Sequence, residues 1–113
     1  MIKKIKLTIF GPEKELANGI EYEVSMEEEG TIIEALATID RQLLNNPKLS
    51  PFPMYKGLIK SYLQLIWDPI KNAIYEDCAS NAYGPNKEFM PLLDDVNFNL
   101  YPNSDITLIV HAD

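Results

Sequence analysis

The chain has 113 residues, of which 46% are apolar and 24% are charged, as is typical of one soluble globular domain with one core. Ten Lys and Arg residues against 17 Asp and Glu residues give a net charge of −7, which disfavours a phosphate backbone as ligand, so we expect no nucleic acid partner. One Cys and one His cannot supply an internal disulfide, a zinc site or an iron–sulfur site, so we expect no metal, no cofactor and a reducing, cytoplasmic setting.

The first two predicted elements are strands. Residues 4–10 alternate polar and apolar side chains, the period of a half-buried strand, and end at Gly11-Pro12. This apolar stretch is too short for a signal peptide core or a membrane span, so we expect no membrane partner. After a turn at Asn18-Gly19, residues 20–26 alternate again and predict a second strand, paired with the first as a hairpin with a long connection.

A helix is predicted to follow. Thr31 and Glu34 have the spacing of a capping box, in which each side chain bonds a backbone amide at the start of a helix. An apolar stripe with spacings of four, three and four then indicates one buried face, formed by Ile32, Leu36, Ile39 and Leu43. Asn45-Asn46-Pro47 is expected to end this helix.

The middle of the chain is less regular. Residues 45–61 are rich in proline, which favours an extended crossing that covers the open side of the core. Leu63, Leu65 and Trp67 alternate as in a strand, so we predict a short helical turn followed by a strand over residues 62–67. Across a turn at Asp68-Pro69, this strand should pair with residues 72–77 in a second hairpin.

The last third of the chain is predicted to contain a polar loop over 79–91, one helical turn over 92–96, a tight turn over 101–104 and a final strand over 106–110. This order predicts an α+β fold in which one main helix packs across one face of a mixed sheet. The first and last strands are expected to lie side by side in the middle of that sheet.

Together these segments resemble the ubiquitin-like β-grasp superfamily, which includes ubiquitin, the small subunit of molybdopterin synthase and the thiamine sulfur carriers. The segments that carry the resemblance are TIIEALATID, LIWDPIKNAIYED and the closing LLDDVNF and NSDITLIV, in the ubiquitin order. The resemblance implies one β-grasp domain over residues 1–113, with a longer crossing at 45–61 and a longer loop at 79–91.

The end of the sequence departs from that superfamily. Members that are conjugated or carry sulfur end in Gly-Gly, whereas this sequence ends in His111-Ala112-Asp113 and has no glycine after Gly84. We therefore expect neither conjugation nor sulfur-carrier chemistry.

Candidate catalytic groups are few. Cys78 and His111 could in principle form a nucleophilic pair, but a lone cysteine at the end of a strand is more often a small buried residue. The acidic pairs Glu76-Asp77 and Asp94-Asp95 lack the surrounding pattern of a calcium loop and are more often solvated charge. Phosphate-loop and hydrolase motifs are absent from the sequence. We therefore predict that the protein is not an enzyme.

The candidate binding residues lie on the predicted outer face of the sheet. If residues 62–67 and 106–110 are strands, strict alternation directs Ile66 and Ile109 to solvent. By resemblance, these two positions match the hydrophobic surface of ubiquitin that its receptors bind. Gln64 and Thr107, two residues earlier in each strand, complete the predicted protein-binding surface. The alternatives are that such exposed apolar residues are ordinary, or that the long segments cover this face.

Three hypotheses for function remain open. The first is a non-conjugated ubiquitin-like module that binds another protein through the open sheet face, as a small accessory subunit of a multi-component enzyme. The second is a degenerate sulfur-carrier relative that docks on an activating or synthase partner. The third is a small-molecule-binding protein with a pocket lined by Phe52, Met54, Tyr55 and Tyr83.

Overall fold

The computed structural model describes residues 1–12, 16–45 and 61–110, together with the backbone of 54–55 and 58–59. Within these ranges the chain forms two helices and eight strands. The helices are α1 (Ile32–Asn45) and α2 (Tyr62–Ile66). The strands are β1 (Ile2–Phe10), β2 (Ile20–Glu27), β3 (Met54–Tyr55), β4 (Leu58–Ile59), β5 (Trp67–Asp68), β6 (Ala73–Ile74), β7 (Ala79–Tyr83) and β8 (Asp105–Ile109). Within the described ranges, each helix is too short or too polar to cross a bilayer.

The main sheet contains four strands in the order β2-β1-β8-β7. β1 pairs antiparallel with β2 and parallel with β8, and β7 pairs antiparallel with β8. The fold is therefore α+β with a mixed sheet, as predicted. The first hairpin and the central position of the first and last strands are also confirmed.

One hydrophobic core lies between α1 and one face of this sheet. The predicted stripe of α1 is buried, and it belongs to the same apolar cluster as Ile5, Leu7 and Ile9 of β1 and Ile106 and Leu108 of β8. The cluster also includes Leu65 of α2. The other face of the sheet, called here the open face, carries the alternate residues of each strand.

The predicted strand over residues 62–67 is wrong, because Tyr62–Ile66 form α2. Ser61 caps this helix: its Oγ accepts from the Gln64 amide at 3.2 Å, and the Ser61 amide donates to Gln64 Oε1 at 2.9 Å. Asp40 of α1 accepts the amides of Tyr62 and Leu63 at 2.9 and 3.2 Å. These bonds satisfy the first amides of the helix, which have no partner within it, and so outweigh the alternating pattern.

Of the predicted second hairpin, only the two residue pairs next to the turn are confirmed. Trp67 pairs with Ile74 and Asp68 with Ala73, in a small sheet separate from the main one. The turn between them is held by Asp68 Oδ1, which accepts the amides of Ile70 and Lys71 at 3.0 and 3.4 Å. Most of the predicted crossing at 45–61 lies outside the described residues.

The predicted loop over 79–91 is also wrong in its first part, since Ala79–Tyr83 form β7 at the edge of the main sheet. Tyr83 forms an antiparallel bridge with Phe89, and the Met90 amide donates to the Ala82 carbonyl at 2.9 Å. This segment therefore folds back along β7. Neighbouring strands stabilise β7 although its small residues have low strand propensity.

Candidate functional site

An open depression of about 770 Å³ lies on the open face, at the β7 and β8 end of the sheet. Three smaller depressions, of about 350, 370 and 230 Å³, lie elsewhere on the described surface. It is lined by Asn81, Tyr83, Gly84, Pro85, Lys87, Asn103, Asp105 and Thr107. A concave surface with several convergent polar side chains is where we expect a ligand or partner to bind.

The floor of the depression is set by the register of β7 against β8. Asn81 is paired with Thr107 and Tyr83 with Asp105. Paired residues project to the same face, so these four side chains form a two-by-two array. Asp105 and Thr107 are paired in turn with Lys6 and Thr8 of β1, which extend the polar surface towards the centre of the sheet.

Two turns form the walls of the depression. Lys87 and Asn103 have left-handed backbone conformations, with φ of 66° and 60°, which place the turns at 84–87 and 102–103 beside the strand ends. The Gly84 amide donates to the Glu88 carbonyl at 2.8 Å, and the Asn103 amide donates to the Lys4 carbonyl at 2.9 Å. These bonds fix both walls against the sheet.

Gly84 lies close to the side chains that surround the first wall. A Cβ at this position would lie 3.0 Å from the Tyr101 ring and would clash with the Glu88 carboxylate. Glu88 Oε2 also accepts the Asn86 amide at 3.1 Å. A side chain at position 84 would therefore displace the contacts that shape the wall.

Exposed aromatic rings lie at the rim. Tyr83 is 43% exposed and Phe89 is 59% exposed, and their rings meet edge to face with centroids 5.8 Å apart. Aromatic residues are enriched in protein interfaces. The Asn81 amide and the Thr107 hydroxyl in the floor can each donate and accept hydrogen bonds. The combination suits recognition of a polypeptide surface.

An apolar row borders the depression on the same face. Ile109 of β8 is paired with Phe10 of β1 on one side and Ala79 of β7 on the other, and all three are partly exposed. The Phe10 ring packs against Gly19, whose φ is 77° and where a Cβ would lie 2.6 Å from the ring. Gly19 therefore provides both the turn before β2 and the space that Phe10 occupies.

The structure brings together half of the predicted binding residues. Thr107 lies in the depression, and Ile109 lies two residues further along β8 in the apolar row. Gln64 and Ile66 lie instead on α2, where Gln64 caps the helix and Ile66 is 0% exposed. The prediction that Ile66 projects to solvent is wrong, because residues 62–66 are helical.

Several residues of the depression were not predicted. Asn81 lies in the segment assigned to a loop, and Tyr83 was assigned to a pocket with Phe52, Met54 and Tyr55. Phe52 and the side chains of Met54 and Tyr55 lie outside the described residues. Residues 79–83 do not alternate polar and apolar side chains, so the sequence carries little signal for β7.

Lys3 is a buried charge with a structural role. Its side chain is 4% exposed, and its Nζ donates to the carbonyls of Glu28, Gly30 and Leu100 at 2.7, 3.0 and 2.6 Å and to Asn99 Oδ1 at 2.7 Å. Burial lowers the pKa of the Lys3 ammonium below its usual value, while the carboxylates of Glu34 and Glu28 act in the opposite direction. Lys3 thus ties β1 to the turn after β2 and to the segment before β8.

Asp40 and Tyr62 form a second set of buried polar contacts. Burial raises the pKa of the Asp40 carboxyl, although its bonds to the Tyr62 and Leu63 amides and to the Ser61 side chain act in the opposite direction. The hydroxyl oxygens of Tyr62 and Tyr22 are 2.7 Å apart. Burial is the largest cause that raises the pKa of the Tyr62 hydroxyl, and the hydrogen bond to Tyr22 raises it further. These groups hold α2 between α1 and β2.

Cys78 lies in the core, away from the depression. Its Sγ is 3.8 Å from the Leu65 carbonyl and 3.7 Å from Asp77 Oδ1, and the residue is buried. His111, the other member of the nucleophilic pair considered above, lies outside the described residues. Among the residues that are described, no cluster of three or more His, Cys, Asp or Glu side chains is arranged to hold a metal ion.

Comparison with known protein families, with curated proteins and with solved structures found no match to this chain.

Proposed function

We propose that this protein is a ubiquitin-like β-grasp module that is not conjugated and that binds another protein through the depression and apolar row of its open sheet face. In this proposal it serves as a small accessory subunit of a multi-component enzyme. The support for the β-grasp assignment is the sheet order β2-β1-β8-β7 with a parallel central pair and α1 on one face.

The observation that carries the binding proposal is the juxtaposition of three features on one sheet face. The polar floor contains Asn81 and Thr107, the rim contains exposed Tyr83, and Ile109 lies in the adjacent apolar row. Protein interfaces combine such aromatic and aliphatic anchors with a polar surround. The predicted residues Thr107 and Ile109 belong to this surface, and Gln64 and Ile66 are removed from it.

The test compares two charged substitutions at exposed positions. Asn81→Arg places a bulky, charged side chain in the floor of the depression. The control, Gln42→Arg, also replaces a neutral amide side chain with arginine, at an exposed position of α1. Each should change stability by no more than about 0.5 kcal/mol, because both positions are exposed. Tagged wild type and both variants are purified from the native host, and co-purifying proteins are quantified by mass spectrometry.

The proposal predicts a protein that is recovered with the wild type and Gln42→Arg and lost with Asn81→Arg. The same order of affinity should be reproduced with that protein after its purification. Retention of every specific partner by folded Asn81→Arg would refute the proposed surface.

A further inference from the structure

Backbone groups along the outer edge of β2 point away from the sheet. The Glu28 amide donates to the Met1 carbonyl at 3.1 Å, which sets the phase of the β1–β2 ladder. Because bonding alternates along an antiparallel pair, every second residue of β2 directs its amide and carbonyl away from β1. These residues are Glu21, Glu23, Ser25 and Glu27. In the described part of the chain no strand pairs with this edge. One of the four carbonyls, that of Glu27, accepts a hydrogen bond from the Gly30 amide.

A groove of about 350 Å³ lies between this edge and α1. Its lining includes Ser25, Met26 and Glu27 of β2, and Ala37, Thr38 and Arg41 of α1. Ala37 and Thr38 are small and partly exposed. Thr38 Oγ1 donates to the Glu34 carbonyl at 2.8 Å and accepts from Arg41 Nη2 at 3.2 Å, which holds both polar side chains along the helix. The groove has room for apolar side chains of an added strand.

The negative charge of β2 affects which kind of strand can pair with its outer edge. Glu21, Glu23 and Glu27 are exposed on the open face, where Glu21 Oε2 lies 3.6 Å from Lys6 Nζ of β1. A second copy of this chain, paired edge to edge, would place these carboxylates close to their counterparts, and like charges on neighbouring strands destabilise pairing. A basic segment would instead place opposite charges across the pair. The edge therefore disfavours self-association and favours a cationic partner.

We propose that β2 binds an extended basic peptide segment of a partner protein by strand addition. Lys or Arg at every second position of the segment faces the glutamates of the open face, and small apolar residues between them enter the groove beside Ala37 and Thr38. Main-chain hydrogen bonds to the outward groups of β2 supply the pairing. β2 and β7 are the two edge strands of the sheet, so this site and the depression lie at opposite edges. The proposal does not depend on the function proposed for the depression.

The test is an NMR titration of the full chain with the acetylated and amidated hexapeptide KVKVKV. Two control peptides are EVEVEV and KVKVKV with alternate backbone amides N-methylated to block pairing. The proposal predicts amide shift changes concentrated at Glu21, Glu23, Ser25 and Glu27, and binding weaker by at least about tenfold for both controls. Equal binding of the N-methylated peptide, or shifts that leave β2 unchanged, would overturn strand addition.

A pair of variants tests the same edge from the protein side. Ser25→Pro removes an outward amide that β1 does not use, and proline is tolerated on edge strands in such positions. It should weaken KVKVKV binding by at least about tenfold, whereas Ser25→Ala, which keeps the amide, should stay within about twofold of the wild type. Unchanged binding by folded Ser25→Pro would refute the proposal. Asn81→Arg should bind the peptide as the wild type does, which separates this site from the depression.

Discussion

Lys3→Met is expected to destabilise the protein although it replaces a charged residue with an apolar one of similar length. The three N–H groups of the Lys3 ammonium are shared among four acceptors, and its stem is buried beside the core. Methionine preserves most of the buried stem and removes every one of these donors. The change therefore removes the hydrogen bonds and the buried charge while it largely keeps the packing.

The magnitude follows from the acceptors that are left behind. Leu100 is 1% exposed, so its carbonyl would lose its bond to Lys3 without access to water, at a cost of about 1–3 kcal/mol. Glu28 and Asn99 are exposed, so water can replace part of their bonds, and the Gly30 carbonyl still accepts the Leu100 amide at 3.2 Å. Adding a smaller loss for these acceptors gives an expected destabilisation of about 2–4 kcal/mol.

Urea unfolding followed by circular dichroism measures this difference, with Lys4→Met as the matched control. Lys4 is the next residue on β1 and is exposed on the open face, so its substitution should cost no more than about 0.5 kcal/mol. A loss below about 1 kcal/mol for Lys3→Met would show that the buried ammonium is not an important tie between β1 and residues 99–100.

Three further predictions test other parts of the structure. Because burial raises the folded-state pKa of Asp40 above 3.8, the folded chain retains a proton that the unfolded chain loses, and wild type should lose stability relative to Asp40→Asn as pH rises from about 4 to 7. Urea melts of both proteins across that range check the sign, and a difference that grows in favour of wild type would contradict it. Ile66→Ala should cost about 2–5 kcal/mol and Ile109→Ala only about 1 kcal/mol, because Ile66 is fully buried and Ile109 is partly exposed; equal losses would place both side chains in similar surroundings. Cys78 should react with iodoacetamide more slowly in the folded chain than in urea, because its side chain is buried, and equal rates would contradict that placement.

The elements predicted well from sequence are those whose local pattern and tertiary contacts agree. β1, β2 and β8 alternate in sequence and bury the expected side of each strand, and the stripe of α1 is buried as a unit. The order of these elements was enough to place β1 beside β8 in the sheet.

The alternation of Leu63, Leu65 and Trp67 predicts a strand where the structure has α2. Ser61 and Gln64 have the spacing of a capping box in the sequence itself, so this signal was present. The second capping group, Asp40, lies on α1, and no local pattern in the sequence brings it to the start of α2.

The depression was predicted only through Thr107, because its residues meet by tertiary folding. Asn81 and Tyr83 depend on the pairing of β7 with β8, and Lys87 and Asn103 depend on turns with left-handed backbones. Small residues gave β7 a weak strand signal, and the sequence does not specify which turns lie against which strand ends. The candidate site was therefore less predictable than the fold.

Photo-crosslinking at position 83 tests the proposed docking surface most directly. The photoreactive amino acid p-benzoylphenylalanine replaces Tyr83 at the rim of the depression or, as a matched aromatic control, Tyr75, which is exposed beyond β6. After irradiation in the native host, the account predicts a discrete crosslink from position 83 to the protein that co-purifies with the wild type, and loss of this crosslink when Asn81→Arg is added. A crosslink to that protein from position 75 with none from position 83 would contradict the account.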